Sequence, residues 1–98
     1  MEFLSDLPKL PATESDANEM IAQLNRAFAS GNSARVSEVL GFIAREYGMT
    51  SVADQSGMQR TMLYKTLSAE GNPTLKTLMA VMKVLGIKMT FTRPPKAE

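Results

Sequence analysis

Apolar residues along the chain recur every three or four positions, which is the spacing of amphipathic helices. After the polar residues 13–16, a first stripe comprises Met20, Ile21, Leu24, Ala27 and Phe28. A second helix is predicted between Ser33 and Gly48, and its stripe comprises Val36, Val39, Leu40, Ile43, Ala44 and Tyr47. Two short helices are predicted at about residues 50–56 and 59–67. A last helix opens at Pro73 and stops at Gly86, with an inward face comprising Leu75, Leu78, Met79, Met82 and Leu85.

The period changes after Gly86, where apolar and polar residues alternate over positions 87–92. This alternation predicts a short β-strand with Ile87, Met89 and Phe91 on one face. A single strand leaves its amide groups unpaired, so we predict that it pairs antiparallel with the same strand of a second copy. The alternative is an extended segment lying against the helices. The predicted fold class is therefore all-α with one C-terminal strand that pairs across a homodimer.

A chain of 98 residues is long enough for one domain and too short for two. Residues 1–12 contain two prolines and no periodicity, which predicts an extended arm. Residues 13–92 form the predicted single domain, and residues 93–98 are predicted to be a disordered tail.

The composition excludes several kinds of chemistry. The chain has no cysteine and no histidine, so it lacks disulfides, thiolate nucleophiles and the two side chains that most often bind transition metals. We therefore expect neither an enzyme nor a bound metal or cofactor. The first residues are acidic rather than basic, and no apolar run approaches the roughly 20 residues of a membrane span. The expected location is cytoplasmic, with no membrane partner.

Charge is distributed unevenly along the chain, although the net charge is only +1. Residues 1–34 carry five acidic and two basic side chains, whereas residues 57–97 carry seven basic side chains and one glutamate. A basic half favours an anionic partner such as nucleic acid, and an acidic half favours a basic protein or plain solvation.

The spacing of Ala53, Gly57 and Leu63 is typical of a helix-turn-helix. The two helices cross closely at the small residue, the glycine takes a left-handed conformation in the turn, and the leucine anchors the second helix. Met58 is predicted to fill the crevice beneath the turn. An ordinary corner between two helices is the alternative, since these residues alone do not require DNA.

The second helix of this motif is predicted to be two-faced. At 100° per residue, Leu63 and Leu67 point inward, whereas the outward and leading residues are Gln59, Arg60, Thr61, Tyr64 and Lys65. Such a helix fits a DNA major groove, where arginine grips guanine, glutamine pairs with adenine and threonine contacts a thymine methyl group or a phosphate. Lys65 is assigned to a phosphate or a second guanine, and Tyr64 either contacts DNA or packs locally.

Two hydroxyl residues, Thr50 and Ser51, begin the first helix of the motif. They suit a phosphate contact or simple helix capping. The methionines at 58, 79, 82 and 89 are predicted to pack in the core, and Met62 has no assigned role.

The motif continues into an Asn72-Pro73-Thr74-Leu75 helix entry and a Val84-Leu85-Gly86-Ile87 exit, and this half resembles the repressor-type, Xre-like helix-turn-helix family. The resemblance narrows with Leu40-Gly41, Ile43-Ala44-Arg45, Val52-Ala53, Gly57-Met58, Leu63-Tyr64-Lys65 and Gly71-Asn72-Pro73. These segments resemble the probable addiction-module antidotes, the antitoxins of HigA type, over about residues 14–91. The second helix of the motif begins with Gln59-Arg60-Thr61-Met62 instead of the Ser-Arg-Glu-Ser type that is commoner in the family. The bases that this chain reads are therefore expected to differ from those read by other members.

The resemblance implies a five-helix repressor-type domain, here preceded by the arm and an extra helix. It also implies an antitoxin that binds a small, basic RelE-like toxin and represses its own operon on double-stranded operator DNA. A generic prophage or host repressor without a toxin is the alternative. Candidate docking regions for the toxin are the acidic residues 1–19, the helix carrying Met20, Ile21, Leu24 and Phe28, and the C-terminal strand.

Overall fold

A computed structural model of the protein describes residues 14–95, which form five α-helices. They are α1 (Glu14–Ser30), α2 (Ser33–Tyr47), α3 (Met49–Ser56), α4 (Arg60–Thr66) and α5 (Leu75–Leu85). The sequence analysis predicts a five-helix domain preceded by an extra helix. The described residues form one helix fewer than this, so the predicted number is wrong for them. Helix α1, which packs on α2, is one of the five. The predicted arm at residues 1–12 lies outside the described residues.

Each of the five helices contributes to the buried core or packs its last residues against it. Helix α2 contacts each of the other four helices, α3 also contacts α4 and α5, and α1 contacts α2. The largest side chains that are fully buried are Leu40, Ile43, Val52, Leu63, Leu67, Val81 and Leu85. The apolar stripe predicted on α2 is confirmed: its residues from Val36 to Ala44 are buried, and Tyr47 packs against the core.

Helix ends follow the capping residues in the sequence. The Asn32 side chain accepts a hydrogen bond from the backbone N–H of Arg35, and Thr74 accepts one from the N–H of Thr77 in the same way. Gly48 and Gly86, which end α2 and α5, both have positive φ angles, 122° and 75°. Side-chain caps of this kind stabilise a helix by about 1 kcal/mol each.

A close approach at Gly41 was not predicted. A Cβ atom built on Gly41, in the middle of α2, would overlap the backbone carbonyl oxygen of Leu67 at the end of α4. Glycine therefore allows α4 to pack directly on α2, and this contact helps to set the position of α4.

The predicted inward face of α5 is partly wrong. Val81, Met82 and Leu85 are buried, but Leu75 is 66% exposed and Met79 is 60% exposed. The last two lie one helical turn apart on a side of α5 that α2 and α3 do not cover. The core position predicted for Met89 is also wrong, because this side chain is exposed in the segment that follows the helix.

Residues 87–95 are assigned to neither helix nor strand. A single chain offers them no partner strand, so the predicted pairing across a dimer stays a prediction. Ile87 packs partly against the core, whereas Phe91 is 85% exposed. None of the helices in residues 14–95 has the length and apolar character that a membrane span requires.

Candidate nucleic-acid interface

The turn between α3 and α4 has the geometry expected from its small residues. Gly57 caps α3 in a left-handed conformation with φ 77°, and its N–H donates to the carbonyl of Ala53 at 3.0 Å. The N–H of Met58 donates to the same carbonyl at 3.2 Å, and its side chain packs partly against the core. Ala53 is buried beneath this turn. The predicted roles of these three residues in shaping the turn are confirmed.

Helix α4 is held by its inward side. Leu63 is fully buried, and so is Leu67, although Leu67 stands just past the end of the helix rather than within it. The N–H of Leu67 still donates to the carbonyl of Leu63 at 2.9 Å, so the final turn keeps the second leucine in the core. Two buried leucines at this spacing prevent α4 from rotating about its own axis.

The opposite side of α4 is open to solvent, as the helical period predicts. The exposed side chains are Arg60, Thr61, Met62, Tyr64 and Lys65, with Gln59 exposed at the N-cap position. Tyr64 is 45% exposed, so its ring is available at the surface. The structure thus brings together the five predicted contact residues of this helix and its cap.

Neither cation on this face forms an ion pair with a carboxylate of the described residues. The ion pairs formed among residues 14–95 join Arg26 to Glu19 on α1 and Arg35 to Glu38 on α2. Within that part of the chain, Arg60 and Lys65 therefore remain available to an external anion. An arginine and a lysine on the exposed side of a helix, without ion pairs in the described residues, suit phosphates and guanine edges.

Thr50 and Ser51 are exposed in the first turn of α3. The cap position belongs to Gly48, which has no side chain, so neither hydroxyl caps the helix. The Thr50 hydroxyl instead accepts a hydrogen bond from Nη1 of Arg60 at 2.8 Å. The predicted phosphate contact of Ser51 and Thr50 stays a prediction.

A second candidate surface is lined by α5 and the residues that follow it. A groove of about 640 Å³ runs between α5 and the segment after it, and its apolar lining residues are Leu75, Met79, Met82, Ile87, Met89 and Phe91. We refer to it as the C-terminal groove. Sequence reasoning placed the odd-numbered residues 87–91 on one apolar face but missed Leu75 and Met79, because their helical spacing is also that of a core face.

Among residues 14–95, no cluster of three histidine, cysteine, aspartate or glutamate side chains could hold a metal ion. The candidate binding surfaces described here are the exposed side of α4 and the C-terminal groove.

The family model described as probable addiction module antidote protein matches residues 10–93. The chain belongs to this family. It is also similar to an uncharacterized protein of Haemophilus influenzae, with 40% identity over 70 residues, which cover 71% of this chain and 72% of that protein. No solved structure matches the chain significantly. An antidote acts against a toxin, so membership of the family implies a toxin partner in general.

Proposed function

We propose that the protein is the antitoxin of a type II toxin–antitoxin module, which binds a RelE-like toxin and represses its own operon by sequence-specific DNA binding. The observation that carries the DNA-binding part is α4, where buried Leu63 holds the helix while Arg60 and Lys65 stay exposed and unpaired within the described residues. Family membership supports the antidote part. The proposed role is binding in the cytoplasm, without catalysis or a cofactor.

In this proposal α3 and α4 act as a helix-turn-helix, and α4 enters the major groove. Arg60 grips O6 and N7 of a guanine bidentately, and Gln59 pairs with an adenine. Thr61 contacts a thymine methyl group, Tyr64 lies along the groove wall, and Lys65 binds a phosphate. These side chains share one exposed face, so a single approach of the helix engages all of them.

A homodimer would place two copies of α4 one DNA turn apart, about 34 Å, on a near-palindromic site. The proposed contact is antiparallel pairing of residues 87–92 across a two-fold axis, with Ile87, Met89 and Phe91 on its apolar face. The exposed Leu75 and Met79 of the C-terminal groove extend this apolar surface. Burying it between copies removes exposed apolar area that a soluble monomer has little reason to keep.

DNA binding is tested by selecting duplexes from a random-sequence library with the full chain. Arg60→Ala is expected to weaken binding to the selected site by about 1–3 kcal/mol and to relax discrimination at one base pair. Lys65→Ala is expected to weaken binding to all DNA sequences alike. It is also expected to reduce the salt dependence of the binding constant by about one released counterion. Fluorescence anisotropy at several salt concentrations measures both quantities.

The matched control is Arg26→Ala, which removes the same charge on α1, away from α4. It is expected to change neither discrimination nor salt dependence. Failure of the wild-type chain to enrich any sequence would exclude specific DNA binding. If the wild-type chain enriches a DNA sequence and Arg60→Ala discriminates between base pairs equally well, Arg60 does not read a base. Specific DNA binding by the rest of the chain would still stand.

Fewer residues of α1 are accessible to a toxin than the sequence indicated. Met20 and Leu24 are buried, so they are unavailable to a partner, whereas Phe28 is 41% exposed. Phe28 and the half-buried Ile21 are therefore the apolar residues of this set that α1 is proposed to offer to a toxin. The candidate residues 1–13 lie outside the described part of the chain.

The toxin partner is tested by co-expressing the product of the adjacent reading frame with the tagged chain. A complex that co-purifies and restores growth supports the antitoxin, and Phe28→Ser is expected to weaken capture without changing DNA binding. A neighbouring product that neither arrests growth nor binds would favour the alternative, a prophage or host repressor without a toxin. Both functions would make the same DNA contacts.

A further inference from the structure

The hydrogen bond from Arg60 Nη1 to Thr50 Oγ1 links the side chains of α3 and α4. The two residues lie ten positions apart in sequence, and both are exposed. The other side-chain hydrogen bonds of α3 and α4 in the described residues stay local: Ser56, at the end of α3, donates to the Ala53 carbonyl, and Ser68, after α4, donates to that of Lys65. The Thr50–Arg60 bond therefore spans the turn at the surface proposed to meet DNA.

This bond uses little of the binding capacity of either group. A guanidinium has five N–H donors, so the edge formed by Nε and Nη2 stays free to grip the two acceptors of a guanine. A threonine hydroxyl accepts through two lone pairs and still has its own hydrogen to donate, for example to a phosphate. Thr50 can thus hold Arg60 while both groups keep their contacts with DNA.

Arginine carries about 2 kcal/mol of rotamer entropy that is lost when the side chain is fixed on a partner. A bond formed before binding removes part of this loss and limits the directions in which the guanidinium can point. A guanidinium held in one orientation discriminates between base pairs better than a mobile one, because it cannot turn to satisfy a different set of acceptors.

We propose that Thr50 is a positioning residue that orients the Arg60 guanidinium for base reading, so that specificity at one base pair depends on a hydroxyl outside the helix that enters the groove. The inference rests on the proposed DNA-binding function. The positioning role differs from a direct phosphate contact of Thr50, because a positioning residue affects specificity only when Arg60 is present.

The test is a double-mutant cycle in the full chain, using the duplex that the wild-type chain selects and a second duplex changed at the base pair that Arg60→Ala fails to discriminate. Thr50→Val keeps the shape of the side chain and removes the hydroxyl. It is expected to lower discrimination between the two duplexes by about threefold to tenfold, the size of one net hydrogen bond. Thr50→Ser keeps the hydroxyl and is expected to retain wild-type discrimination.

In the Arg60→Ala background, Thr50→Val is expected to have no further effect on discrimination, because there is no guanidinium left to orient. Ser51→Ala is the matched control, since it removes the neighbouring hydroxyl of the same helical turn and is expected to leave discrimination unchanged. Thermal unfolding of each variant by circular dichroism identifies any loss that comes from the fold.

Equal weakening of both duplexes by Thr50→Val would overturn the inference and assign Thr50 to a phosphate. Additive effects of Thr50→Val and Arg60→Ala would overturn it as well. A wild-type chain that selects no duplex would instead refute the proposed DNA-binding function and the inference with it, so the two failures are distinguishable.

Discussion

Helices α4 and α5 both carry apolar residues that the helical period predicts to face inward, yet only part of the α5 set is buried. On α4 the leucine at position 63 is fully buried, while on α5 the leucine at position 75 and the methionine one turn later are mostly exposed. Periodicity tells which side chains share a face. It does not tell whether another element covers that face.

The packing of each helix explains the difference. Helix α4 rests on α2 and α3, and these neighbours enclose its apolar side. Helix α5 also packs on α2 and α3, but the side that carries Leu75 and Met79 faces the extended residues that follow Gly86. The C-terminal groove lies between these two parts. One helix therefore presents polar side chains to solvent, and the other presents apolar side chains that a second copy is proposed to cover.

The largest expected effect on folding comes from the buried side of α4. Leu63→Ala removes a fully buried side chain and leaves a cavity, so it is expected to lower the free energy of unfolding by about 2–5 kcal/mol. The adjacent Met62 is 54% exposed, and Met62→Ala is expected to change this free energy by no more than about 0.5 kcal/mol. Urea unfolding measures both, and similar losses would contradict the description of α4 as two-faced.

A smaller effect is expected where α2 meets the end of α4. Gly41→Ala places a Cβ atom against the backbone carbonyl of Leu67 and is expected to lower the free energy of unfolding by about 1–3 kcal/mol, because backbone atoms must move. Gly57→Ala meets no neighbouring atom within 4 Å and suffers only from its left-handed backbone, which costs about 1–2 kcal/mol.

Gly41→Ala tests a close contact between helices, whereas Gly57→Ala tests the left-handed backbone conformation of the turn. Gly41→Ala is expected to shift α4 and to weaken DNA binding beyond its effect on stability. If Gly41→Ala unfolds at the same urea concentration as the wild-type chain, α4 does not pack as closely on α2 as the structure indicates.

The smallest effect on folding is expected at the C-terminal groove. Combined Leu75→Ser and Met79→Ser changes are expected to alter the unfolding free energy of the monomer by only about 0.5 kcal/mol per site, because both side chains are exposed. The same changes are expected to shift the mass in solution from dimer to monomer, since they remove apolar surface from the proposed contact. Light scattering measures the mass.

Lys76→Ser is the control for this pair, because it changes an exposed residue between them and is expected to leave the mass unchanged. A double variant that stays dimeric would show that the groove is not part of the contact. Truncation after Gly86 would then test residues 87–92 separately, and an unchanged dimer would exclude the predicted strand pairing.

Local signals in the chain predicted the helices and their ends well. Helices were predicted to begin near Ser33 and Pro73, and they begin at Ser33 and Leu75; Gly48, Gly57 and Gly86 end helices with positive φ angles. These features depend on a few neighbouring residues, so they can be read without knowing the rest of the fold. The outward direction of Arg60 and Lys65 follows for the same reason once Leu63 is placed inside.

Contacts between distant residues could not be read in this way. The overlap that forces glycine at position 41 involves Leu67, and the bond of Arg60 involves Thr50 across a turn. Neither leaves a periodic signal, because each depends on how two helices cross. The exposure of Leu75 and Met79 was missed for a related reason, since a contact face and a core face have the same apolar spacing.

The amino-acid sequence was therefore sufficient to predict the helices, the turn at Gly57 and the cationic side of α4. Backbone preferences and the helical repeat act over a few residues, so a short stretch of sequence reveals them. Packing in three dimensions was needed to show which apolar faces stay uncovered and which polar side chains meet. Burial and side-chain pairing depend on how elements pack against one another, and the helical repeat does not show which elements cover a given face.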